Sequence, residues 1–275
     1  PGLAGTVREV DFDATKLGVD DRYINLRDHP MQTEHLWGSP EFDAKFPDYR
    51  IADILRDICH DFGIMADFDH LQPLPFEHRP DCEGAVFLVP GSEAAFKCWS
   101  AERWSELRDK LQSQGERVFV LGQPERFRSV RRLLEMGLPW LQTPSVRDLL
   151  NAISSARAVI SIDTGPMHMA LQQLIPTVAM FVNQPGSFHY MRTVEHCYPI
   201  LSAPCRPECV QATFDMKLNE VTEFKQWEHL FAWECPFESE KPCMNGITVD
   251  MVLEKTKIAL KRGKSTCGSA VVCER

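Results

Sequence analysis

Lys97 and Ser92 share one loop, and Asp163, Thr164, Gly165 and His168 crowd another. Lysine supplies a point charge, hydroxyls supply hydrogen-bond donors, and glycine lets backbone approach a ligand. Pro166 reads as the opening residue of a helix, where its missing N–H is not needed. The first-turn N–H groups of such a helix point outward at the positive end of its dipole. The two runs together therefore describe a site for phosphate or diphosphate. His168 lies about 100° around that helix from the stripe Met167, Ala170, Leu171 and Leu174, which turns it to a cleft rather than the core. A third loop, Leu121-Gly122-Gln123-Pro124-Glu125, adds another glycine and an acidic acceptor, Glu125, for ribose hydroxyls. Each residue has an ordinary alternative: Lys97 as a solvated lysine, Glu125 favouring a helix start through the dipole, Asp163 or Thr164 as a plain cap. The grouping carries the reading.

Such loops need a scaffold that brings them together. Runs with strand character, Ala85–Val89, 117–121, Ala158–Ile162 and 177–182, alternate with helical patterns. The helices read as Ala101 to Gln114 with Ser100 as N-cap, Glu125 to Met136, Val146 to Ser155, the segment after Pro166, and Val249 to Leu260. This alternation predicts an α/β fold: a Rossmann-like parallel sheet with helices on both faces, binding its ligand at the strands' carboxyl ends. Upstream, 49–63 has helical spacing, with Ile51, Ile54, Leu55, Ile58 and Phe62 on one face and Gly63 as the stop. Residues 72–80 hold three prolines and read as a linker. The expected organisation is a partial N-terminal region with its linker at 1–80, a ligand-binding domain at 81–262, and a flexible tail at 263–275. A cysteine-rich insertion at 197–246 interrupts the ligand-binding domain.

Composition narrows the partners. A net charge of −9 argues against a broad nucleic-acid-binding face, so any phosphate must be held by local donors. No apolar run approaches the roughly 18 residues of a membrane span. The G-x-G-x-x-G fingerprint and the P-loop lysine motif are both missing, which argues against a simple dehydrogenase or NTPase.

At this point the residues resemble a family. Val89-Pro90-Gly91-Ser92, then Lys97-Cys98-Trp99-Ser100 with Glu102, Arg103 and Trp104, then Leu121-Gly122, then Asp163-Thr164-Gly165-Pro166 with His168 and Ala170, and Ile175 to Phe181, look like the bacterial heptosyltransferase family of glycosyltransferases. The likeness covers 84–262. It implies a GT-B fold, of which this part is the C-terminal donor-binding domain, and a nucleotide-sugar-dependent transferase. The implied reaction passes a sugar, heptose from ADP-heptose, to a lipopolysaccharide or other glycan or protein acceptor by inverting displacement. It also implies a cytoplasmic setting, with peripheral association at the inner membrane left open. The family's phosphate-contacting lysine falls on Lys97, its hydroxyl residue on Ser92, its donor loop on Asp163, Thr164 and Gly165, and its histidine on His168. The ribose-binding glutamate falls only loosely near Glu125. The family's N-terminal domain is about twice as long as 1–80 and carries the general base. The chain is therefore expected to be a fragment or a strongly reduced relative, with Asp11, Asp13, Asp20 and Asp21 as bases by residue type only. The rival is a non-catalytic nucleotide-sugar-binding protein lacking that base.

Seven of the ten cysteines fall in the last third of the chain, and none lies between Cys98 and Cys197. This usage favours a reducing cytoplasm. Cys205, Cys209, Cys235 and Cys243 supply four thiols flanked by prolines and suit structural zinc or iron, with reduced, partly buried thiols as the alternative. The resemblance adds that some relatives hold iron in this region. A metal-organised interaction module is the second rival. No cofactor is expected to be required for catalysis.

Overall fold

A computed structural model of the chain describes residues 72–92, 97–182, 196–202 and 242–266, together with 53, 56, 59–60 and 63–65. Its centre is a five-stranded sheet of β1 (Val86–Val89), β2 (Val118–Val120), β3 (Ala158–Ile162), β4 (Thr177–Phe181) and β5 (Cys197–Leu201), in the order β2-β1-β3-β4-β5. Every pairing is parallel. Parallel strands need crossovers, and helices supply them: α1 (Ala101–Ser113), α2 (Arg128–Glu135), α3 (Val146–Ser154) and α4 (Gly165–Gln172). A short α5 (Pro242–Asn245) and a long α6 (Val249–Thr266) follow. This is the α/β Rossmann-like arrangement that the alternating pattern predicts.

Strand alternation explains how both faces are covered. Val86 and Leu88 of β1 point with Ile160, Val178 and Met180 into a core shared with Trp104, Leu107 and Leu111 of α1 and Val252 and Leu253 of α6. Phe87, Val89 and Val159 point the other way, onto Ala152 and Ile153 of α3 and Ala170 of α4. Because neither face meets water, β1, β3 and β4 are buried along their whole length, and they read in sequence as largely apolar runs, with Ser161 and Thr177 as buried exceptions. Trp99 and Trp104 stack edge to face at 5.3 Å between ring centres. The Trp99 indole N–H bonds the Ile247 carbonyl at 2.9 Å, tying the start of α1 to the approach to α6.

Four features differ from the sequence-based expectation. The helix expected from Glu125 starts at Arg128, because Arg126 and Phe127 donate their N–H groups back to the Gln123 carbonyl and close a turn first. Strand β5 was not anticipated; Pro199 at its centre lacks an N–H and masks the pattern, which an edge strand tolerates. Helix α6 continues to Thr266 rather than ending near Leu260. Residues 72–79, expected as a linker, lie docked on α3 and α4 through hydrogen bonds to their backbone.

Candidate functional site

The strand order reverses direction at β1. From β1 the chain goes outward to β2, then returns past β1 to β3. Loops that leave β1 and β3 on opposite sides part there and open a crevice at the strands' carboxyl ends. A cavity of about 690 Å³ lies at this point, lined by the loop after β1 (Ser92, Lys97), the loop after β2 (Gly122, Gln123) and the loop after β3 (Asp163, Thr164, Gly165). Arg126, Phe127, Thr143, Pro144, Ser145, Val146 and Leu149 form its other wall.

Each loop is held by local chemistry. Gly122 sits at φ +129°, and a Cβ there would fall 2.8 Å from Val130 Cγ2, so only glycine fits. The Trp140 indole N–H bonds the Gly122 carbonyl at 2.9 Å. In the loop after β1, the Phe127 ring lies where a Cβ on Gly91 would be, 2.8 Å from Phe127 Cδ2, and the Ser129 hydroxyl bonds the Pro90 carbonyl. Sixty-six residues apart in sequence, Lys97 and Asp163 meet: Lys97 Nζ donates to Asp163 Oδ2 at 2.6 Å. Both are largely shielded, with side chains 25% and 13% exposed, so the pair is felt more strongly than at an open surface. His168 Nε2 stands 3.7 Å from the other carboxylate oxygen, Asp163 Oδ1, and is half-exposed.

The starts of α2, α3 and α4 border the cavity, and those of α3 and α4 differ. At α3 a capping box closes the end: the Asp148 N–H bonds Ser145 Oγ at 3.1 Å and the Ser145 N–H bonds Asp148 Oδ2 at 3.2 Å. At α4 the N-cap is Thr164, whose side chain makes no capping bond, with Pro166 in the first turn. A Cβ on Gly165 would meet nothing within 4 Å. The uncapped end of α4, beside Lys97, is thus the positive end offered to an anion.

The structure brings together Ser92, Lys97, Asp163, Thr164 and Gly165 as lining residues and places His168 against Asp163. It does not bring in Glu125, which is exposed in the turn before α2 and outside the lining; its carbonyl accepts from Arg131. The expectation of an acidic ribose acceptor rested on the residue's place in a glycine-bearing loop after a strand and on a loose family likeness, with a helix start as the ordinary alternative; the chain forms a turn there. With the turn in its place, Gln123 and Arg126 line the wall instead. Thr143, Ser145 and Val146 escaped notice because their loop follows only a single bridge, between Val120 and Trp140, and not a recognisable strand. The Thr-Pro-Ser run was the available clue. Among the described residues no group of three or more His, Cys, Asp or Glu is placed to hold a metal. Cys205, Cys209 and Cys235 lie outside the described residues. Cys243 is buried in α5, its carbonyl accepting from Ser202 at 2.5 Å. Among the described residues no helix is long and apolar enough to cross a membrane.

Sheet order and crevice position define a Rossmann-like α/β unit with a ligand-sized crevice at its strands' carboxyl ends. Residues 60–211, more than half of the chain, match the model of glycosyltransferase family 9 (heptosyltransferase), and the chain belongs to that family. Among solved structures it is similar to the family 9 glycosyl transferase of Veillonella parvula DSM 2008 (TM-score 0.53, 17% identity), covering 78% of this chain and 60% of that one. It is also similar to the dodecameric iron-containing heptosyltransferase TibC of enterotoxigenic E. coli H10407, solved in complex with ADP-D-beta-D-heptose (TM-score 0.50, 19% identity), covering 76% of this chain and 53% of that one. These likenesses show the fold. The chain spans at most 60% of the length of either structure. No curated protein sequence matches it.

Proposed function

We propose that the cavity binds a nucleotide-diphosphate sugar and that this chain is the donor-holding part of a sugar transferase. ADP-heptose, the ligand of the solved TibC complex, is the donor to try first. The observation that carries the reading is the 2.6 Å pair of Lys97 and Asp163 next to the uncapped start of α4. It joins two loops into one anion-sized receptor. A diphosphate there would take hydrogen bonds from Lys97, Ser92, Thr164 and the first turn of α4. Those donors matter most as the bond from the anomeric carbon to the phosphate oxygen breaks, because negative charge then collects on the leaving diphosphate. The acceptor hydroxyl attacks the same carbon from the opposite face, giving inversion, and its proton goes to a base. Asp11, Asp13, Asp20 and Asp21, candidates by residue type, lie outside the described residues. A lipopolysaccharide, other glycan or protein acceptor follows from family membership alone.

Calorimetry with ADP tests the reading. The chain should bind ADP, and Lys97→Ala should weaken binding at least about tenfold. A charge-assisted hydrogen bond is worth roughly 1.5–3 kcal/mol, and the substitution also leaves Asp163 facing the diphosphate without its cation. Equal affinity in wild type and variant, with both folded by circular dichroism, would reject the site.

A further inference from the structure

The segment Gln72 to Arg79 has no regular structure and mostly exposed side chains, including Leu74 and Phe76, yet its backbone is held along its length. Gln173 at the end of α4 accepts from the Leu74 N–H at 2.7 Å and donates to the Leu74 carbonyl at 3.0 Å, much as a neighbouring strand would. Asn151 of α3 accepts from the Glu77 N–H at 2.9 Å, and Ser155 at the end of α3 accepts from the Arg79 N–H at 2.9 Å. Gln172 and Arg147 add bonds to the carbonyls of Gln72 and Pro75. Gln173 also donates to Ser154 of α3 at 2.8 Å, so the two helices are stitched to each other where the segment crosses them. Asn151, Ser155 and Gln173 are three of the seven buried polar or charged residues among those described. A buried amide with no partner is costly, so this row is specified for the segment and not left over from packing.

Helices α3 and α4 do two jobs at once. Their N-terminal ends, Ser145 and Val146 on one and Gly165 and Pro166 on the other, line the cavity. Arg147, Asn151 and Ser155 along α3, and Gln172 and Gln173 at the end of α4, hold the strap. Each helix is short, about 12–14 Å at 1.5 Å per residue, so its cavity end and its strap contacts lie within a few turns of each other. A diphosphate drawn onto the start of α4 and against the start of α3 changes how the two helices sit against each other. Hydrogen bonds weaken steeply when misaligned, so the strap bonds respond to that relation. The strap's side chains are mostly exposed, Leu74 and Phe76 included, and little apolar burial opposes its local opening.

We infer that residues 72–79 form a strap whose docking is coupled to occupancy of the diphosphate cavity, carrying the state of the donor site to the chain that precedes residue 72. The inference rests on the donor-site reading, and Gln173, Asn151 and Ser155 are its positioning residues. Hydrogen exchange of the full 275-residue chain tests it, read on the peptide covering 72–80 with and without saturating ADP, and with inorganic pyrophosphate as a second probe. Exchange should slow by about fivefold or more when either is bound. Coupling is reciprocal, so Arg147→Ala with Gln172→Ala, both at accessible positions that do not line the cavity, should speed strap exchange and weaken ADP binding. Calorimetric heat with unchanged strap exchange overturns the strap alone. Absence of heat with both ADP and pyrophosphate overturns the donor site and the strap with it.

Discussion

Asp163 is the residue whose role the geometry changes most. By type it reads as one more donor-site group or a cap, but a carboxylate 2.6 Å from Lys97 cannot itself welcome a diphosphate. It holds the ammonium in place and competes with the ligand for it. Asp163→Asn keeps the shape and removes the competing charge. Inorganic pyrophosphate should then bind more tightly, by several-fold to about tenfold, which is a change of about 1.4 kcal/mol at the upper end. Calorimetry in low salt reads this directly, and weaker binding in the variant would mean that holding Lys97 matters more than freeing it. The meeting of Lys97 with Asp163 was legible only as two loops of complementary type. The start of α2 was placed too early because a proline followed by an acid imitates a helix start, whereas local backbone bonds to Gln123 make a turn there and leave Glu125 outside the cavity lining.

Among the elements, α3 and α4 both border the cavity with their N-terminal ends, one sealed and one open. Stability measurements separate them. Ser145→Ala removes the acceptor of the capping box and should cost about 1 kcal/mol in urea unfolding. Thr164→Ala removes a hydroxyl that makes no capping bond and should change stability by less than about 0.5 kcal/mol. If the Thr164 hydroxyl meets the diphosphate, that same variant weakens pyrophosphate binding while unfolding like wild type. Equal destabilisation by both substitutions would show that the α4 end is capped in solution. Periodicity located these helices well. It could not tell a capped from an uncapped start, since serine and threonine are both good caps by type.

For the whole molecule, burial of thiols ties stability to alkaline pH. Cys197 packs on β5 against Met167, Leu171, Ala179 and Phe181, and this desolvation pushes its thiol from an ordinary 9.0 up to about 12. Burial pushes the Cys82 thiol up as well. Below pH 9 the folded and unfolded chains both keep the Cys197 proton, so the thiol contributes no slope. Above it the unfolded thiol ionises while the folded one does not, so the folded state loses about 1.4 kcal/mol of relative stability per pH unit until about 12. Cys197→Ala should remove that part of the slope when urea unfolding is followed from pH 8 to 10.5. Parallel curves for wild type and variant would mean that the thiol is solvated.

The sequence alone determined the α/β class, four of the five strands, the two loops that bring Lys97 and Asp163 to the cavity and the family, because each is written in local pattern: apolar runs, caps, glycines and motif spacing. Tertiary structure decided what depends on distant pairs. It placed Lys97 on Asp163, replaced Glu125 with Arg126 in the cavity wall, laid a proline-rich linker across two helices as a strap, and added β5 at the sheet edge. Side chains sixty to a hundred residues apart meet only once the sheet order is set, and no local periodicity records that order.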